Sequence, residues 1–211
     1  MSQPDTKQRI LDAAEQLFAR DGFHNTSLRT ITREARVNLA AVNYHFGGKE
    51  ALVEAVFERR LTPLNAARRR HLDAVRDTAR GAGRAPTVEE VLRAFIEPTL
   101  AFRDSGPGAC SFISLVGRAL SEPEGVVRTT FMRHMQPLFA YLLEMIRCAL
   151  PALSAHTAFW RLLFALSATA QTICLSDKPL AWPAGVAPLK ESDALLAEIL
   201  PFLIAGMEAE R

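Results

Sequence analysis

The sequence predicts an all-α fold, and three observations carry that prediction. Apolar residues recur at three- and four-residue intervals through most of the chain, and cap residues and glycines stand at the ends of those runs. No run shows the apolar/polar alternation of a half-buried strand flanked by hairpin turns. A small amino-terminal three-helix module with a helix-turn-helix is expected over residues 1–48, followed by a larger helical domain over 49–211. With 49% hydrophobic and 23% charged residues, the composition is that of a globular protein and disfavours disorder, collagen-like repeats and a disulfide scaffold.

Ile10, Ala14, Leu17 and Phe18 share one face of the first helix, with Asp5 or Thr6 as its cap and Gly22 to end it. Leu28, Ile31 and Ala35 mark a second, shorter helix after Asn25-Thr26-Ser27, residues whose side chains accept from the free amides of a helix start. Asn38 caps a third apolar helix from Ala40 to Phe46, broken by Gly47-Gly48. Lys49-Glu50 open a long helix in which Pro63 predicts a kink or an interruption. A glycine- and arginine-rich loop follows at 78–86, and Thr87-Val-Glu-Glu90 has the form of a capping box. Further helices are expected at Cys110–Leu120, Glu124–Leu150, Ser154–Leu175 and Ser192–Glu208, separated by Pro123, Pro151 and the proline-containing segment 176–190.

The net charge of +2 hides an uneven distribution. Residues 1–80 carry 14 basic and 10 acidic side chains, whereas residues 81–211 carry 11 and 13. A polyanion is therefore to be sought at the amino-terminal third. Two short helices joined by a turn near Ala35-Arg36-Val37, the second one slim and nearly uncharged, suit insertion into a major groove. Its outward residues are expected to be Asn38, Leu39, Ala41, Asn43, Tyr44 and His45, flanked by Arg29, Arg33 and Lys49. Phe18, Phe23, Val37, Val42 and Phe46 are expected to form the small core that aims them.

At these positions the chain closely resembles the TetR family of bacterial transcription regulators. The stretches that carry the resemblance are Ile10-Leu-Asp-Ala-Ala-Glu-Gln-Leu-Phe18, Gly22-Phe23, Thr26-Ser-Leu-Arg29 with Ile31, Asn38-Leu-Ala-Ala-Val-Asn-Tyr-His-Phe46, and Lys49-Glu50-Ala-Leu52. The resemblance implies a double-stranded DNA operator as partner, a homodimer, and a small effector whose binding releases the operator. It implies backbone or base contacts for Thr26 or Ser27 and Arg29, a phosphate contact for Lys49, and recognition-helix roles for Tyr44 and His45. The 38–47 run also looks like a subgroup responding to fatty acids or their coenzyme A esters. Arg36 stands where the family usually has its turn glycine; a left-handed conformation strains an arginine, which points to a turn of different shape. Asn43 replaces a common tyrosine and is either an adenine reader or a phosphate contact.

In the larger domain, Phe95, Phe102, Phe131 and Phe164 line a cavity or fill a core. Arg118, His134, Arg161 and Gln171 lie in otherwise apolar helices, where they meet an effector or form internal ion pairs with Glu122 or Glu144. Arg68-Arg69-Arg70 reads as a solvated helix face. The long apolar surfaces of 158–175 and 195–207 suit a four-helix contact between two copies. The 18-residue stretch from Ala158 to Leu175 has the length of a bilayer span, but Arg161 disfavours one and no membrane association is expected. Three cysteines without metal-like spacing, and no apolar leader, suit the cytoplasm. Five scattered histidines, no phosphate-cradling loop and no nucleophile elbow argue against an enzyme, a metal or a cofactor. A helical ligand carrier that never touches DNA is the alternative.

Overall fold

The computed structural model describes residues 5–121, 125–176, 183–187 and 189–210. Glu122, Pro123 and Glu124, and part of the 176–190 segment, lie outside the described residues. Helices account for nearly all of the rest, and no strand occurs among the described residues. They are α1 (Thr6–Asp21), α2 (Leu28–Ala35), α3 (Leu39–Phe46), α4 (Lys49–Gly81), α5 (Val88–Arg103), α6 (Pro107–Ser121), α7 (Val126–Ala149), α8 (Ala155–Ser176) and α9 (Ser192–Glu208). The all-α expectation holds.

Pro63 does not interrupt α4, which runs through it for 33 residues. Proline removes the donor that the carbonyl of Arg59 would use. Leu61 and Leu64, on either side of the proline, are both buried. Their burial holds the helix together where its hydrogen-bond ladder is weakened.

The chain clusters into two compact units, Met1–Pro63 with Ser105–Met135, and Leu64–Asp104 with Gln136–Arg211. In the first, α1 packs on both α2 and α6. Its core is built from Ile10, Leu17, Phe18, Ile31, Val42 and Phe57, all essentially inaccessible to solvent. Phe57 meets the edge of Phe112 with ring centroids 5.3 Å apart. In the second unit α9 packs against α5 and α8, and Leu72, Leu92, Leu142, Leu162 and Leu203 are buried.

A buried ionic cluster ties α1 to α4 within the first unit. The Glu15 carboxylate, with 2% of its side chain exposed, accepts from Arg59 Nη2 at 2.7 Å and from Arg60 Nη2 at 2.7 Å and Nε at 2.8 Å. Arg59 also reaches Asp12 at 2.6 Å. Gly108 at the start of α6 leaves room for this pairing, because a Cβ there would collide with Arg60 Nη2. At the other end of α1, Arg118 of α6 donates to the carbonyls of Ala19 at 2.8 Å and Arg20 at 2.7 Å. It thereby satisfies acceptors that every helix leaves open at its carboxyl end.

Candidate nucleic-acid interface

Local chemistry fixes the ends of α2 and α3. Ser27 Oγ accepts from Thr30 N at 3.0 Å, and Asn38 Oδ1 accepts from Ala41 N at 2.8 Å, so both serve as N-caps. Between the helices Arg36 adopts φ 53° and ψ 50°, the left-handed region. It is the sole non-glycine residue with positive φ among the described residues. The expected change of turn shape does not occur. Val37 N donates to Thr32 O at 3.0 Å and Arg36 N to Arg33 O at 3.2 Å, the paired closing bonds of a Schellman turn, which offset the strain of the arginine.

Only Val42 of α3 is buried. The opposite face is open: Leu39 is 41% and Tyr44 85% exposed, and Asn38, Ala40 and Asn43 are exposed as well. Ala41 and His45 are half-buried. The Tyr44 and His45 rings stand edge to face with centroids 5.1 Å apart. Ala40 was not singled out by the sequence reasoning; a full helical wheel around Val42 would have found it. Arg29 and Arg33 are exposed on α2. Val37, Phe23 and Phe46 are half-buried rather than fully enclosed.

Thr26 departs from the expected contact set. It is 1% exposed, and its hydroxyl donates to Gly22 O at 2.7 Å and approaches Leu17 O at 3.3 Å. Its side chain closes the end of α1 and is not presented outward, whereas that of Ser27 is exposed. Lys49 is half-buried with its ammonium 4.1 Å from the centre of the Phe23 ring. Burial pulls its pKa below the usual lysine value. A cation seated on an aromatic face has fewer water molecules to shed on meeting an anion.

The residues expected to line an effector cavity are divided between the two units. Arg118, Phe131 and His134 belong to the first unit, and Phe95, Phe102, Arg161, Phe164 and Gln171 to the second. Arg118, His134 and Arg161 have protein partners among the described residues, and the Glu122 pair considered from sequence lies outside those residues. Arg118 closes α1, as above. His134 Nε2 lies 2.8 Å from Glu54 Oε1, and Arg133 holds the other oxygen of that carboxylate at 2.8 Å. Arg161 donates to Met207 O at 2.7 Å. Gln171 is exposed and Phe164 is 64% exposed, whereas Phe95 is buried and Phe102 half-buried.

Arg68 corrects the reading of the arginine run as a solvated face. It is buried, lies 4.4 Å over the Phe95 ring, and donates to Thr99 Oγ1 at 2.9 Å and Asn65 Oδ1 at 2.9 Å. Loss of hydration lowers its pKa to about 9. Arg69 and Arg70 remain exposed. Adjacent arginines on a helix point about 100° apart, so a run of three cannot share one environment.

Residues 10–56 match a family model described as bacterial regulatory proteins, tetR family. Residues 93–206, more than half of the chain, match one described as tetracyclin repressor-like, C-terminal domain. The HTH-type transcriptional regulator UidR of Escherichia coli (strain K12) is 38% identical over 51 residues, 24% of this chain and 26% of UidR. SrpR of Pseudomonas putida, also an HTH-type transcriptional regulator, is 42% identical over 60 residues, 28% of each chain. The matched region thus spans about a quarter of the length of these curated relatives. Among solved structures, the fatty acid degradation regulator FadR from Bacillus halodurans superposes with a TM-score of 0.65 at 15% identity, covering 100% of both chains. The TetR family regulator PfmR from Thermus thermophilus gives 0.62 at 19% identity, covering 96% of this chain and 100% of its own. Both likenesses are of fold.

Proposed function

The chain belongs to the TetR family of bacterial regulatory proteins, and on that premise we propose that it is a cytoplasmic DNA-binding transcription regulator of repressor type. It binds a palindromic operator as a homodimer and leaves it when a small, largely apolar effector binds. The observation that carries this reading is the open face of α3, where Leu39, Asn43 and Tyr44 are exposed to solvent while Val42 is its one fully buried residue. A slim helix with that face free can enter a major groove, and the cations at Arg29, Arg33 and Lys49 suit the phosphates beside it. One such helix reads few base pairs; two copies about 34–36 Å apart read an inverted repeat.

The second copy is proposed to join through α8 and α9. Phe159, Trp160 and Phe164 on α8 and Phe202 on α9 are exposed, with Phe159–Trp160 and Trp160–Phe164 centroids 5.7 and 5.9 Å apart. By length and composition α8 could cross a bilayer, and little of it is buried within the chain. Arg161 in its midst favours a protein partner over lipid. Of the expected effector contacts, Phe95, Phe102 and Phe131 stay in the proposal; Arg118, His134 and Arg161 are engaged by the protein itself, and Phe164 and Gln171 are exposed. Fatty acids and acyl-coenzyme A esters are the first effector classes to assay. Release is proposed to follow from a changed spacing of the two reading heads, with α4 as the connecting element and Gly47-Gly48 and Pro63 as its points of flexure.

Selection of bound duplexes from a random pool, followed by competition with acyl and aromatic compounds, tests the reading. An inverted repeat with steep loss of affinity on adding salt is the expected result. Absence of salt-dependent duplex binding would leave the ligand-carrier reading. Lys49→Ala is expected to weaken every sequence alike and reduce the salt slope by about one. Asn43→Ala is expected to change preference at one base step, and uniform weakening would make Asn43 a backbone contact.

A further inference from the structure

The eight residues of α3 include no Lys, Arg, Asp or Glu. The cations lie on its neighbours: Arg29 and Arg33 are exposed on α2, and Lys49 opens α4. That division of charge complements a duplex, with cations for the two phosphate strands and an uncharged helix for the base edges between them. The choice of bases then falls to the exposed residues of α3 itself.

Its two asparagines are not equivalent. Asn38 Oδ1 is committed to Ala41 N at 2.8 Å, whereas the Asn43 carboxamide has no hydrogen-bond partner among the described residues. Leu39, 41% exposed, precedes Asn43 by four residues and so shares its side of the helix. Four residues rise about 6 Å, close to two base-pair steps of about 3.4 Å. Ala40, also exposed, adds no bulk that would hold the helix off the base edges. In the major groove a carboxamide pairs bidentately with adenine N6 and N7, whereas guanine is read by Arg or Lys and cytosine by a carboxylate. The apolar feature there is the 5-methyl group of thymine, which gives Leu39 a partner that polar base edges do not.

We propose that α3 reads A·T pairs: in each half-site Asn43 takes an adenine, and Leu39 closes on a thymine 5-methyl within about two base-pair steps of it. This assignment rests on the DNA-binding function proposed above and narrows its operator to half-sites with an A·T core.

Fluorescence anisotropy of the full chain with the duplex selected from a random pool, and with base analogues in one half-site, tests it. Uracil in place of thymine removes the 5-methyl, and 7-deazaadenine in place of adenine removes the N7 acceptor; both keep Watson–Crick pairing. Adjacent or next-adjacent A·T pairs are expected in each selected half-site. Uracil at one of their thymines is expected to weaken binding about fourfold, and 7-deazaadenine at one of their adenines by about fivefold or more. Leu39→Ala is expected to reduce the uracil effect below twofold, and Asn43→Ala to erase the 7-deazaadenine effect, each measured against its own affinity for the unmodified duplex. Salt-dependent binding to half-sites of G·C pairs, no response of the unaltered chain to either analogue, or responses that persist in the variants overturn this proposal and leave the regulator standing. Absence of salt-dependent binding to any duplex overturns the regulator and this assignment with it.

Discussion

Arg36 shows how far a single residue can depart from its preference when its neighbours insist. An L side chain in the left-handed region costs about 1 kcal/mol or more, and Arg36 accepts that cost at φ 53° because the Val37 and Arg36 amides close the end of α2. Arg36→Gly is expected to raise stability by about 1 kcal/mol in urea denaturation without moving Asn38 or Val42. Glu15 lies at the other extreme, a nearly inaccessible carboxylate meeting two guanidinium groups. Removing one partner from a buried ionic cluster leaves the rest uncompensated. Glu15→Ala is therefore expected to cost about 3 kcal/mol by the same assay. The position of Arg36 was legible in the sequence, but its conformation was not, since the closing bonds depend on both flanks of the turn. The Glu15 cluster was missed because its partners lie 44 and 45 residues away and local spacing carries no trace of them.

Helix ends were the most legible elements. Asn38, Ser27 and Thr87 all cap helices as their sequence contexts indicate, because capping is decided within four residues. At α5 the box is complete: Glu90 N donates to Thr87 Oγ1 at 3.1 Å, Thr87 N donates to Glu90 Oε2 at 2.8 Å, and Arg84 joins the carboxylate at 2.6 Å. The hydrogen bond from Arg84, followed by that from the Thr87 amide, lowers the Glu90 pKa to about 2. A carboxyl whose folded pKa lies below its unfolded value of 4.5 stabilises the fold above that value and stops doing so as pH falls toward 2. Amide protection factors at the start of α5, each taken relative to the intrinsic exchange rate at that pH, are expected to fall across that window, and Thr87→Ala to cost about 1 kcal/mol at neutral pH. The long α4 was legible in extent but not in continuity, because whether Pro63 breaks a helix depends on the packing around it.

For the molecule as a whole, the all-helical class followed from periodicity alone, while the division into units did not. Ser105–Met135 clusters with Met1–Pro63 through contacts such as α1 with α6, which join residues about a hundred positions apart. The proposed effector residues were the least legible for the same reason: arginine in an apolar helix signals that a partner exists, but not whether it is a ligand or the carboxyl end of another helix. Arg118 and Arg161 both found helix ends. The exposed aromatic surface of α8 belongs to this scale as well. Trp160→Glu with Phe164→Glu is expected to yield monomers in sedimentation velocity with helix content retained, and to weaken operator binding at least a hundredfold. Dimers that persist would move the contact elsewhere.

The open face of α3 has an evolutionary corollary. Because Val42 is the one fully buried residue of that helix, the side chains facing outward can be exchanged with little toll on folding, and under the proposed function the address a copy of this protein recognises is then free to drift while its architecture stays put. On that proposal, gene duplication followed by changes at 39, 40, 43 and 44 is the expected route by which a sister protein reaches a new promoter.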